Sequence, residues 1–130
     1  MKKTLPAVNI QYPISTLILS GVKTIETRTY SLPPAYLNRD MFIIETPGTT
    51  GSFVARIVGT IKFKSCFIYG SKKSFYSDFD KHLVDENSKW AWKNKPKWAW
   101  EISEVKLFKK KYDAPNKKGI IFTKEVSVYV

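Results

Sequence analysis

The stretch GVKTIETR, Gly21–Arg28, decides how this chain is read. A lysine, a glutamate and an arginine fall within six residues, directly after a glycine and a short apolar segment. Upstream, PISTLILSG (Pro13–Gly21) places Ile14, Leu17 and Ile18 at one-turn spacing, so it reads as a short helix with one inward face. Pro13 suits the first turn of that helix and Gly21 its C-terminal stop. Downstream, TIETRTY (Thr24–Tyr30) is rich in β-formers and reads as a strand. Alternate strand residues share a face, which puts Thr24, Glu26 and Arg28 on one side and sends Ile25 toward the core. With Lys23 in the turn after Gly21, its long stem swings round to the Glu26 face. A lysine, a carboxylate and a guanidinium then meet at one rim. The plain alternative is an exposed ion pair on a strand, worth only about 0–1 kcal/mol.

The rest of the chain alternates between strand and turn patterns. LPAVNIQY suits a first strand, MFIIE another, and SFVARIVGTIKFKSCFIY one long strand or two, bent at Gly59. SFYSDFDKHLVDEN (Ser74–Asn87) reads as a helix, with Phe75, Phe79 and Leu83 every four residues and Ser74 or Ser71 as its cap. KWAWEISEVKLF is a strand, and the tail GIIFTKEVSVYV carries one more, or two with a break. This order predicts an α+β fold: mixed or antiparallel strands curled into a small β-barrel, with an N-terminal helix and one inserted helix. At 130 residues the expectation is a single domain over 1–130. KWAW occurs twice, at Lys89–Trp92 and Lys97–Trp100, and Pro96 between the copies argues against one continuous element through both.

Charge narrows the partners. Twenty-two Lys+Arg against eleven Asp+Glu give +11, a balance that points to a polyanion, nucleic acid above all, with a lysine-rich surface kept for solubility as the plain alternative. Residues 61–130 carry 16 of those cations and 8 of the anions. LFKKKYDAPNKKG (Leu107–Gly119) is the densest basic run and reads as a solvated loop after a strand. No apolar run nears the roughly 20 residues that span a bilayer, and no basic amphipathic helix favours a membrane surface. MKKTLPAV opens with two lysines but breaks at Pro6 and Asn9, so it reads as mature protein. The one cysteine, Cys66, allows no internal disulfide, which suits the reducing cytoplasm. In its strand it reads as a buried thiol.

IQYPISTLILSGVKTIETR (Ile10–Arg28) resembles the opening of ASCH domains, members of the PUA-like group of small β-barrels. Gly21, Lys23, Glu26 and Arg28 fill that family's Gly-x-Lys-x-x-Glu-x-Arg signature without a gap. FVARIVGTIKF and KWAWEISEVKLF are similar to two later strands of the family, more weakly. The resemblance implies a PUA-like fold and a cleft for nucleic acid or a nucleotide-like ligand. Lys23 and Arg28 would then contact phosphate, Arg28 in bidentate fashion, with Thr24 beside them and Glu26 holding them or accepting from a base edge. Trp90 and Trp92, in a lysine-rich segment, would offer stacking surfaces. Trp98 and Trp100 share one strand face and read as core. Lys109, Lys110 and Lys111 would form a basic flank that draws in a phosphate backbone. RNA is the expected partner, single-stranded DNA the second, and a protein adaptor role the reading left if neither binds.

The same resemblance offers a hydrolytic alternative on RNA or a modified nucleoside. Some bacterial ASCH proteins deacylate a modified cytidine with a motif lysine, a threonine three residues later and a distant glutamate. Lys23 matches the first, but Glu26 stands where the threonine would be. Lys23 and Glu26 are then the catalytic candidates, Glu26 as base toward water. Other members are described as metal-assisted ribonucleases, a chemistry that wants more carboxylates than Glu26 alone. The acids of SDFDKHLVDEN fail the spacing of a calcium loop and, with His82, read as a solvated helix face. PGTTG is too short for a phosphate-cradling loop and lacks its lysine. No metal site and no cofactor are expected.

Overall fold

A computed structural model describes residues 1–114 and 122–129. Ten elements follow one another: β1 (Lys2–Gln11), α1 (Ile14–Leu19), β2 (Ile25–Arg28), a 3-10 turn (Pro34–Tyr36), β3 (Met41–Thr46), β4 (Arg56–Tyr69), α2 (Lys72–Ser77), α3 (Phe79–His82), β5 (Lys97–Asp113) and β6 (Phe122–Tyr129). The strands form one six-stranded mixed sheet in the order β2-β5-β4-β3-β1-β6. β1 and β3 run parallel, and every other neighbouring pair is antiparallel. A central strand covered on both faces reads as a continuous apolar run, and MFII (Met41–Ile44) of β3 is one. Met41 and Ile43 enter a core with Val8, Ile10, Ile18, Phe63 and Trp100, while Phe42 and Ile44 enter another with Ala7, Ile57, Val126 and Val128. A third cluster, Ile25, Tyr69, Phe75, Val84 and Ala99, ties α2 and α3 to the sheet.

The expected α+β class holds, but the barrel is not closed. β2 and β6 stand at the two ends of the strand order, with no ladder between β2 and β1 among the described residues. The sheet curls enough for Arg28 of β2 to donate from Nη2 to the Asn9 carbonyl of β1 at 2.7 Å. A four-residue β2 paired only with β5 offers little backbone to close a ring, so a side chain bridges the gap.

The expected break at Gly59 is a bulge within one 14-residue strand. Ile57 pairs with Tyr112 but Gly59 with Leu107, so two steps on β4 match five on β5, which absorbs three extra residues. A Cβ on Gly59 would lie 2.1 Å from the Lys106 carbonyl oxygen, so only glycine permits this approach. Lys109, Lys110 and Lys111 fall in the bulged segment and are exposed. They belong to β5 and not to a following loop. Residues 115–119 of the basic run and residues 119–121 and 130 of the expected tail strand lie outside the described residues.

Two helices differ from expectation. In α1 the inward pair is Ser15 and Ile18, and Leu17 is 37% exposed. Ser15 turns in because Glu45 is buried across from it: the hydroxyl donates to Glu45 Oε2 at 2.5 Å, and Arg56 holds Oε1 at 2.9 Å. The predicted inserted helix is two short ones, α2 and α3, parted at Asp78. Ser71 caps α2 in a reciprocal box with Ser74. At the break, Tyr69 donates its hydroxyl to Asp78 at 2.6 Å, and the Phe75 carbonyl lies 2.6 Å from His82 Nε2. Those side-chain bonds replace a straight helix. His82 is consequently fully buried, the reverse of the solvated face expected for it.

Candidate functional site

Gly21 makes the turn that delivers the motif. Its φ of +82° is a conformation glycine adopts freely, and its N–H returns to Ile18 O at 3.1 Å. Lys23 N–H then bonds Leu17 O, so Lys23 sits before β2 begins and its side chain reaches the end of α3. It is 4% exposed. Its Nζ donates to the His82 carbonyl and lies 3.9 Å from Glu26 Oε1. Glu26, 7% exposed, accepts the Thr27 N–H at Oε1 and Arg28 Nη2 at Oε2, both at 3.1 Å. Arg28 also reaches Tyr30 Oη at 3.4 Å and lies 5.3 Å from the Trp100 ring centre. Its donors are therefore directed at Glu26, Asn9 and Tyr30, and it braces the site. Lys23 has three N–H donors and spends one on His82, so it keeps capacity for a ligand.

These side chains line a pocket of about 390 Å³, within the size range of small-ligand sites. Asn9 and Gln11 come from β1, Ile14 from α1, Thr27, Thr29 and Tyr30 from β2 and its exit, and Thr46 from β3. Val84, Trp90 and Lys97 complete it from the other side. Trp90 is 43% exposed. Lys97 donates its Nζ to the Trp90 carbonyl, so one copy of the KWAW repeat is fastened to the other.

Burial pushes the Lys23 pKa down, Glu26 opposes this, and Arg28 adds to it. Lys97 is lowered by burial and then by Lys93 and Lys23. His82 stacks on Phe75 at 4.2 Å and accepts the Val84 N–H at Nδ1, so Nε2 carries the hydrogen donated to Phe75 O and the ring is neutral. Its pKa is lowered by burial, which outweighs the Phe75 bond, with Lys23 adding a further downward push.

No protein-family model matches the sequence, and no curated protein does. Solved structures do. The crystal structure of an ASCH protein from Zymomonas mobilis superposes with a TM-score of 0.59 at 16% identity, over 78% of this chain and 68% of that one. A tyrosine-to-phenylalanine mutant of it gives 0.59 at 16% identity, over 78% and 70%. A serine-to-alanine mutant gives 0.60 at 14% identity, over 80% and 70%. The fold is ASCH-like. At this identity the likeness concerns the path of the backbone alone.

The structure gathers Lys23, Glu26, Arg28 and Trp90 around one pocket. Other expected residues stand apart. Thr24 precedes β2, its backbone is bonded to Lys81 O and Ile102 N, and its side chain is exposed outside the pocket. Trp92 packs its ring 5.8 Å from Phe75, and its N–H bonds Tyr76 Oη, so it supports the helices and is not a lining residue. Lys109, Lys110 and Lys111 do not line the pocket either, because the bulge holds them on β5. Trp100 is fully buried, as expected of core. Sequence reasoning missed Lys97, Tyr30 and Thr27. Lys97 carried a signal, since it opens the second copy of the literal repeat. Among the described residues no cluster of His, Cys, Asp and Glu could hold a metal, and no helix is long and apolar enough to cross a membrane.

Proposed function

We propose that this chain binds RNA, with single-stranded DNA as a weaker ligand, by taking an unpaired nucleotide into the pocket. The observation that carries the reading is the pairing of a half-exposed tryptophan at the pocket with two incompletely neutralised lysines, Trp90 with Lys23 and Lys97. An aromatic face stacks any unpaired base and is sequence-tolerant, while the ammonium groups attract phosphate. Asn9, Gln11, Thr27, Thr29 and Thr46 supply donors and acceptors for base edges or the ribose. The overall charge of +11 adds long-range attraction. A reducing cytoplasm is the compartment that suits this reading and the free Cys66.

Fluorescence anisotropy on short single- and double-stranded RNA and DNA at two salt concentrations tests it. Wild type should bind single-stranded RNA best and lose affinity with salt. Trp90→Ala should weaken that binding about tenfold, in line with one lost base stack. Equal affinity of wild type, Trp90→Ala and Lys97→Ala would move the binding to the general basic surface and overturn the pocket reading.

One observation favours a hydrolase as a second reading. Lys23 is buried with a lowered pKa, the state in which a lysine can take and return a proton, and Glu26 and Thr27 stand beside it. Release of product from RNA or modified nucleosides, lost in Lys23→Arg, would support it. An unchanged substrate after prolonged incubation at high enzyme concentration would remove it.

A further inference from the structure

The pocket holds more positive charge than its own residues neutralise. Its lining has three cationic side chains, Lys23, Arg28 and Lys97, against one carboxylate, Glu26. Arg28 and Glu26 satisfy each other at 3.1 Å. Lys23 pairs with that carboxylate only at 3.9 Å, too far for a hydrogen bond, and its one close acceptor among the described residues is the neutral His82 carbonyl. Among the described residues Lys97 forms no ion pair; its ammonium rests on the Trp90 carbonyl and lies 5.5 Å from the Phe75 ring centre. Two ammonium groups therefore share one cavity whose single carboxylate is hydrogen-bonded to Arg28 and faces only Lys23. Burial lowers the pKa of both lysines; at Lys23 Glu26 partly opposes this and Arg28 adds to it, while at Lys97 the neighbouring Lys93 and Lys23 add to it.

A phosphodiester inside a chain brings one negative charge. A terminal phosphomonoester brings about −1.5 to −2 at neutral pH, with three strong acceptor oxygens. The cavity, at about 390 Å³, has the size of a single small-ligand site, which favours a chain end over a run of backbone.

We propose that the pocket recognises a terminal phosphomonoester on a nucleotide, its phosphate between Lys23 and Lys97 and its base on Trp90. The source is either the phosphorylated end of an RNA or a free nucleoside monophosphate. The inference rests on reading the pocket as a nucleotide site, and it adds which phosphate enters.

The test uses one hexaribonucleotide, labelled internally, with a 5′-phosphate, a 3′-phosphate or hydroxyls at both ends, read by anisotropy. In parallel, calorimetry compares the four ribonucleosides with their 5′- and 3′-monophosphates. The phosphorylated forms should bind at least about tenfold more tightly than their hydroxyl counterparts, the gain expected of charge-assisted contacts. Lys97→Gln should collapse that ratio toward one, and Lys97→Arg should restore most of it. Lys97 carries the test because it is only half-buried, and circular dichroism checks that each variant folds. If hydroxyl-ended RNA binds as well as phosphorylated RNA, RNA binding stands and the terminal-phosphate inference falls. If monophosphates bind and no RNA does, the RNA reading falls and the pocket is a free-nucleotide site. If the preference survives Lys97→Gln, the phosphate sits elsewhere and the inference is overturned. If no nucleotide or RNA binds, both readings fall.

Discussion

Glu26 touches two cations at once. Its carboxylate holds Arg28 at 3.1 Å and faces Lys23 at 3.9 Å, and at 7% exposure water does little to replace it. Glu26→Gln should therefore cost about 3 kcal/mol of stability, because it leaves buried cations without their counter-charge. Urea denaturation measures this, and a loss under about 0.5 kcal/mol would show the cluster to be well hydrated. His82 gives a pH dependence of known sign. Its folded pKa lies below the 6.5 of the free side chain, so the unfolded chain takes up the proton first. Stability from this residue is complete above about pH 6.5 and is lost as pH falls toward the folded value. Thermal melts between pH 7.5 and 5 should show the decline, and His82→Asn should flatten it although less stable at pH 7.5. At this scale the sequence was partly legible. The motif's spacing grouped Lys23, Glu26 and Arg28, because local geometry alone brings them near one another. Spacing could not show that Arg28 is committed to Asn9, nineteen residues away, or that His82 is buried.

The elements were legible where a local signal and the tertiary contacts agreed. Gly21 ends α1, Ser71 caps α2, and the apolar run of β3 lies between two cores. They were illegible where a distant buried group chose the face. Leu17 fits the apolar stripe of α1 better than Ser15, yet the buried Glu45 carboxylate needs a donor and draws Ser15 inward. The 74–87 helix likewise breaks because Tyr69 and His82 claim its polar groups. The two glycines separate backbone conformation from space. Gly21→Ala meets no atom within 4 Å and should cost about 1 kcal/mol, the strain of a positive φ. Gly59→Ala places its methyl group 2.1 Å from a carbonyl oxygen and should cost about 3 kcal/mol or more, since a bulged strand pair must move. Chemical denaturation of both variants checks the ranking, and equal losses would contradict the bulge geometry.

Over the whole molecule, the alternation of strands announced the α+β class, while the parallel pairing of β1 with β3 and the open strand order depend on contacts that no local pattern encodes. The charge distribution divides in two. Lys23 and Lys97 belong to the pocket, and Lys109, Lys110 and Lys111 stand out from the β5 bulge. Their effects on binding should differ. Alanine at all three bulge positions should lower affinity for every RNA alike and reduce the salt slope by about 0.7 for each lost phosphate contact. The order of preference among ligands should stay as in wild type, and a changed order in salt titrations would place the bulge in the recognition site. The latch between the two KWAW copies has a different consequence. Lys97 grips the main chain of residue 90 and not its indole. Loop closure and ring identity are thus separate variables, so the aromatic at this one position can be exchanged as a module. On the proposed nucleotide-binding reading, a library confined to residue 90 would retune ligand preference while the Lys97 grip on the main chain stays in place.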